Sequence, residues 1–214
     1  MSSDLADRIV RRSALAGQEG IPAISAEEAR QLAAYLELLR TWNARINLTA
    51  LPLEGFPDET LDRLILEPIV IKRLIPDCAR NWVDLGSGGG SPAVPLKIVR
   101  PDLNLEMVES RARKVAFLRE ACRQLKLDGA LVHEGRIEEL PARLPAGSIH
   151  LITVRAVRLS KEIVESIAFL LPRAKGQLAV FAKEDPALDA AAFHETLQTR
   201  LPSNGGTVYW YQRL

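Results

Sequence analysis

The apolar positions of this chain change their period once. Up to about residue 76 they recur at helical spacing; beyond residue 81 they gather into short runs separated by amphipathic segments. Leu5, Ile9, Val10 and Leu15 fall near helical spacing across residues 4 to 16, beside Arg8, Arg11 and Arg12, which would form either a solvated basic face or an arm for RNA. Ser25 and Glu28 have the capping-box spacing and open a helix through Leu32, Leu36 and Leu39 towards Trp42. Residues 42 to 49, WNARINLT, set two asparagines and a threonine among apolar residues. That pattern predicts a helix end or turn, either stapled by side-chain to backbone hydrogen bonds or helping to shape a ligand or RNA site. A second helical stretch, residues 58 to 75, contains Pro68, which predicts a break or kink near Glu67 because proline has no N–H and clashes with the preceding turn.

The second pattern predicts a strand ending at Leu85, a helix over 92 to 100, a strand over 103 to 109, a helix over 112 to 125 and a strand over 130 to 134. It continues with a strand over 149 to 154, a helix over 160 to 171 and a strand over 177 to 182. Alternation of this kind implies a parallel, doubly wound sheet. Residues 185 to 193 could hold a short helix; residues 196 to 201 and 207 to 214 look like two strands joined by PSNGG, whose Asn204-Gly205 is a hairpin signal. The expected architecture is α/β: a helical N-terminal extension, residues 1 to 76, packed on a domain of residues 77 to 214. Ligands of such sheets sit beyond the carboxyl ends of the strands, so residues 86 to 91, Glu109, residues 136 to 138, Arg155 and Lys183 should share one rim.

The richest chemistry on that rim is WVDLGSGGGSP, residues 82 to 92. A strand runs into Gly86, Gly88, Gly89 and Gly90, which permit a sharp turn close to a ligand, and Pro92 suits the start of a helix with unpaired amide donors. The dinucleotide fingerprint G-x-G-x-x-G would need a third glycine where Ser91 stands. Acidic-x-G-x-G-x-G fits at Asp84, Gly86, Gly88 and Gly90, the pattern of S-adenosylmethionine-dependent methyltransferases. In that reading Asp84 and the loop amides, Ser87 among them, hold the amino-acid end of the ligand. Glu109, 19 residues beyond Gly90, grips a ribose. The acid at that offset suits nucleotide folds generally; the terminal hairpin favours the methyltransferase.

Composition narrows the class. The 214 residues are 47% hydrophobic and 26% charged, which suits one substantial globular core, and no apolar run is long enough for a membrane span. The N-terminus lacks the basic start and apolar centre of a secretory signal, so a cytoplasmic protein is expected. Cys78 and Cys122 have no metal spacing and read as buried thiols. With 28 basic against 27 acidic residues, any affinity for nucleic acid must be local. Two basic groups are available: Arg111, Arg113 and Lys114 after the second strand, and Arg155, Arg158 and Lys161 after the fourth. They form either a phosphate track or ordinary charged helix starts. His133, His150 and His194 are scattered, and no nucleophile or histidine-acid pair stands out.

Several stretches together resemble one family: WNARINLTA (42 to 50), VDLGSGGGSPAVPLKIVRPDLNLEMVES (83 to 110), RKVAFLREACRQLKL (113 to 127), GRIEEL (135 to 140) and TVRAV (153 to 157). Over about residues 30 to 183 the chain is similar to the glucose-inhibited division B family, bacterial enzymes that methylate N7 of one guanine in 16S ribosomal RNA with S-adenosylmethionine. The resemblance implies a Rossmann-like class I methyltransferase fold, with a mostly parallel seven-stranded sheet and a terminal antiparallel hairpin. Its cofactor positions fall on Gly86 and Ser91, on Ile137 and Glu138, and on Arg155. It implies no catalytic side chain and no metal, since an unprotonated N7 needs positioning rather than a base. It further implies ribosomal RNA, free or within a 30S particle, as partner, no membrane, and a monomer. Family members usually carry a bulky residue at Ser91, a His-Asp type pair at Leu64 and Glu67, and a more basic C-terminus. These departures leave two rivals: a methyltransferase of the same fold acting on a small molecule or protein, and a non-catalytic nucleotide- or RNA-binding module.

Overall fold

A computed structural model describes residues 2 to 15, 22 to 202 and 206 to 214; Asn204-Gly205 lies outside the described residues. Seven strands form one sheet in the order β3-β2-β1-β4-β5-β7-β6. They are β1 (Asn81–Leu85), β2 (Asn104–Glu109), β3 (Ala130–Glu134), β4 (Leu151–Arg155), β5 (Gln177–Ala182), β6 (Phe193–Arg200) and β7 (Thr207–Arg213). The first five are parallel, while β7 runs antiparallel to both β5 and β6. The chain goes outward from β1 through β2 to β3, then returns to the other side of β1 as β4. The strand order therefore reverses between β1 and β4, where sheets of this class open a crevice.

Alternation along β1 explains its two-sided burial. Trp82 joins a core with Leu105, Met107 and Leu151 of neighbouring strands and with Leu32 and Leu36 of α2 (Ala26–Asn43), Leu96 of α5 (Ala93–Val99) and Phe117 of α6 (Ala112–Leu125). Val83 and Leu85 point the other way, into a core with Ile152 and Val154 and with Ile163, Ile167 and Leu170 of α7 (Lys161–Leu170). A fully buried aliphatic side chain contributes roughly 1.5–3 kcal/mol, so both faces of the central strands are strongly held. The N-terminal helices share the first core with the sheet.

The basic face of α1 (Ser2–Leu15) is turned largely inward. Arg8 donates to the carbonyls of Gly55 and Phe56 at 2.9 and 2.8 Å, and Arg12 grips Asp62 through two hydrogen bonds of 2.8 and 2.6 Å. Only Arg11 of the three is exposed without such a contact in view. This corrects both sequence readings: two of the three arginines fasten the helix to residues 55 to 62.

Pro68 does not break its helix. Asp58–Leu61 (α3) leads into a π-helical turn, Asp62–Leu66, then Glu67–Val70 (α4) and a 3-10 turn, Ile71–Arg73. The extra residue of the π turn lets the chain pass the proline without an interruption. Elsewhere the helix expected at 185 to 193 is absent: Asp185 Oδ1 accepts from the Ala187 amide and the Tyr211 hydroxyl, both at 2.8 Å, and holds an extended connection into β6. β6 consequently starts at Phe193 rather than Thr196. Cys78 is exposed, against expectation, because it falls in a turn before β1; Cys122 is half-buried on α6.

Candidate functional site: a glycine-loop cleft

The loop after β1 is fixed from three sides. The amides of Gly86 and Ser87 donate to Val108 of β2 at 2.9 and 3.1 Å, the Gly88 amide donates to Glu109 Oε2 at 3.0 Å, and the Tyr35 hydroxyl of α2 donates to the Gly89 carbonyl at 2.7 Å. Gly86 has φ +71°, and a Cβ there would lie 2.5 Å from Val157 Cγ2. Only glycine lets Val157 close over the turn. A Cβ at Gly89 would stand 3.0 Å from the Leu48 carbonyl, which shows how closely the WNARINLT segment approaches. That segment is stapled as anticipated: Asn43 Oδ1 accepts from the Leu48 and Thr49 amides at 2.8 and 3.0 Å. It also lines the cavity, through Leu48 and Thr49, as do Ala50 and Leu51 after it.

A cavity of about 700 Å³ opens over the loop between Leu48, Thr49, Arg63, Ser91, Lys114 and Arg155. Gly86, Glu109, Ser110 and Val157 are shared with a second cavity, about 350 Å³, walled by Gly135, Arg136, Ile137, Glu138 and Ile163. Arg155, Ala156 and Val157 are shared with a third, about 460 Å³, which reaches Arg158, Phe181, Lys183 and Glu184. The rim expected from the strand order is thus one connected cleft. Gly86, Ser87, Gly88, Ser91, Glu109, Ile137, Glu138 and Arg155 line it.

Two expected residues do not. Gly90 is buried behind the loop against Val94 and Tyr35. Asp84 is 1% exposed and its carboxylate does not reach the cavity wall. Its Oδ1 accepts from Thr153 Oγ1 at 2.5 Å, that same oxygen accepts from Trp82 Nε1 at 2.9 Å, and Asp84 Oδ2 has no partner. Burial pushes the Asp84 pKa up to about 6, against the hydroxyls of Ser87 and Thr153 and the charge of Arg155, which hold it down. Glu109 is also bound internally, its Oε1 accepting from the Arg111 amide at 2.9 Å. It lines both cavities as well.

Arg155 is the most constrained cation of the cleft. Its Nη2 pairs with Glu67, which is fully buried; its Nη1 donates to the Arg63 carbonyl at 2.7 Å and to Ser91 Oγ at 3.2 Å; and its guanidinium lies 4.6 Å from the Phe181 ring centroid. Burial lowers its pKa and the Glu67 carboxylate opposes that shift. The carboxylate partner thus comes from the helical extension and not from a neighbouring strand. Glu67 and Thr153 escaped the sequence reading as site residues; Thr153 could have been found, since it opens the TVRAV run at the end of β4. Of the two basic groups, Arg111, Lys114, Arg155 and Arg158 line the cleft, Arg113 is exposed outside it, and Lys161 lies 3.9 Å from Glu165. The three histidines stay outside it.

The cleft suits an elongated cationic nucleoside. The backbone at Gly86 lines both cavities without a side chain, and the Glu109 carboxylate and the Arg155 guanidinium stand at their walls. Fold and site define a Rossmann-like, S-adenosylmethionine-dependent methyltransferase. The family model for GidB, rRNA small subunit methyltransferase G, matches residues 28–201, and the chain belongs to that family. It is 37% identical over 156 residues to the ribosomal RNA small subunit methyltransferase G of Stutzerimonas stutzeri, covering 73% of this chain and 68% of the relative. The counterpart from Shigella dysenteriae is 32% identical over 186 residues, covering 87% and 85%. Among solved structures, a SAM-dependent methyltransferase from Aquifex aeolicus shares the fold, with a TM-score of 0.57 at 14% identity over 75% of this chain and 96% of that one.

Proposed function

We propose that this protein methylates N7 of one guanine in small-subunit (16S) ribosomal RNA, as a cytoplasmic monomer acting on RNA that is free or assembled in a 30S particle. The observation that carries the reading is the family match over residues 28–201. Gly86, Ser87, Gly88 and Ser91 would hold the amino-acid end of S-adenosylmethionine, Glu109 its ribose, and Ile137 with Glu138 its adenine; Arg155 would orient cofactor or substrate. When bound, the cofactor supplies an electrophilic methyl group on a sulfonium. The chain's own task is then to align an acceptor, exclude water and leave the acceptor's lone pair free. Guanine N7 carries a free lone pair at neutral pH, so this acceptor needs neither deprotonation nor covalent attack. Orientation alone can supply roughly 7–11 kcal/mol. The base must be unstacked to enter, which favours an exposed guanine.

Incubating ribosomal RNA, free and in 30S particles, with methyl-labelled cofactor and mapping the product tests this. Label at a single guanine N7 is expected, and Gly86→Asp should abolish both cofactor binding and label. Label on small molecules or protein, or cofactor binding with no methylated RNA, would replace the proposal by one of its rivals.

A further inference from the structure

Backbone accounting around Pro68 leaves two carbonyls without their usual helical donors. The Glu67 amide, which in an α-helix would bond the Arg63 carbonyl, bonds Asp62 instead across the π turn. The next donor in π register would be the amide of residue 68, and proline has none. Arg63 is thereby deprived of both its α and its π donor. Leu64 loses its α donor to the same proline. Buried carbonyls must be paired, and both of these turn to the cleft. The Arg63 carbonyl accepts from Arg155 Nη1 at 2.7 Å, and the Leu64 carbonyl accepts from Ser91 Oγ at 3.2 Å. Arg155 Nη1 also donates to Ser91 Oγ, closing a ring that Glu67 completes by pairing with Nη2.

We propose that Pro68 is a positioning residue of the methyl-transfer site. By freeing the Arg63 and Leu64 carbonyls it fixes the Arg155 guanidinium and the Ser91 hydroxyl in one geometry, at the wall shared by the loop cavity and its 460 Å³ neighbour. The inference rests on reading the loop cavity as the cofactor site. It differs from a folding role in what becomes of the site. Replacing the proline supplies an amide to a helical carbonyl but frees the unfolded chain, so a purely structural role predicts little net change in stability and an unchanged site. Positioning predicts an equally or more stable protein with a loosened site, because the new amide at 68 competes for the Leu64 carbonyl and lets the π turn relax.

The test is a double-mutant cycle of Pro68→Ala and Ser91→Ala, reading S-adenosylhomocysteine affinity by calorimetry and melting temperature in parallel; Pro68→Ser serves as a second helix-compatible replacement. Expected are a three- to tenfold loss of affinity for Pro68→Ala without a lower melting temperature, and a double variant no weaker than the worse single one. Wild-type affinity in both proline variants, or losses that multiply in the double variant, would overturn the proposal. Failure of the wild-type protein to bind the probe would instead remove the cofactor-site reading on which it stands.

Discussion

Two carboxylates are buried beside the same loop and are treated in opposite ways. Glu67, fully buried on the helical extension, faces a guanidinium that is itself held by a carbonyl, a hydroxyl and an aromatic face. Asp84, 1% exposed at the end of β1, has one hydroxyl donor on Oδ1 and nothing on Oδ2, and its pKa is driven to about 6. The fold completes the first site from its own chain and leaves the second incomplete. A buried acid without a partner is destabilising, and proteins keep such arrangements mainly where function requires them. The contrast separates a wall of the cleft whose charges are matched from a carboxylate behind the loop whose Oδ2 is left without a hydrogen bond.

The largest effect should come from breaking the complete site. Arg155→Ala would leave Glu67 with the longer pair to Arg63, at 3.4 Å, and should cost about 3 kcal/mol in urea unfolding, the low end for breaking a buried pair, because the carboxylate keeps most of its desolvation penalty. Glu67→Gln with Arg155→Met should cost less than the single arginine change, since both charges leave together. A single-variant loss under about 1 kcal/mol would mean that the pair contributes no more than a surface ion pair.

This contrast also marks what the sequence could reveal. The sheet was legible because each strand is a local apolar run, and the glycine loop because its backbone demands are written in four nearby glycines. The rim followed from strand order alone. The Glu67 site was not legible, since it joins residues 88 positions apart through a π turn that neither propensity nor period encodes. Pro68 gave a local signal for a break; tertiary contacts to Arg155 and Ser91 converted it into a detour. Similarly, Arg8 and Arg12 look like a solvated face until the 55 to 62 segment packs beneath them, and Asp185 is tied to Tyr211 of β7, which holds the 185 to 193 segment along the sheet edge. Asp84 was legible as a site residue, but its distance from the cavity wall was not.

The incomplete site should be exposed by pH. The native pKa of Asp84 lies above its ordinary value, so the folded protein binds this proton more tightly than the unfolded chain. The group therefore adds nothing adverse below pH 4 and destabilises progressively as pH rises from about 4 to 6. A shift from 3.8 to about 6 corresponds to roughly 3 kcal/mol. Wild-type stability relative to Asp84→Asn should fall across that window and level off above it, measured by urea unfolding at half-unit intervals. A cationic ligand should bind more tightly as pH passes 6 in the wild type only. A stability gap independent of pH would mean that Asp84 titrates alike in the folded and unfolded protein.

The smallest change probes the hydroxyl that donates to Asp84 Oδ1. Thr153→Val keeps the shape of a residue that is fully buried, but it removes the acceptor for Trp82 Nε1 and the donor to Asp84 Oδ1 together. Two buried polar groups lose a partner, and each such loss costs about 1–3 kcal/mol when nothing replaces it. At pH 7 the expected destabilisation is about 2 kcal/mol, at the low end because the carboxyl can respond by taking up a proton. That response is itself measurable. Without its hydroxyl donor Asp84 should titrate higher, so the pH at which the wild-type and Asp84→Asn curves level off should move above 6 when both carry Thr153→Val. An unmoved window would show that the Thr153 hydroxyl serves Trp82 alone, and that burial, the Ser87 hydroxyl and Arg155 set where Asp84 titrates.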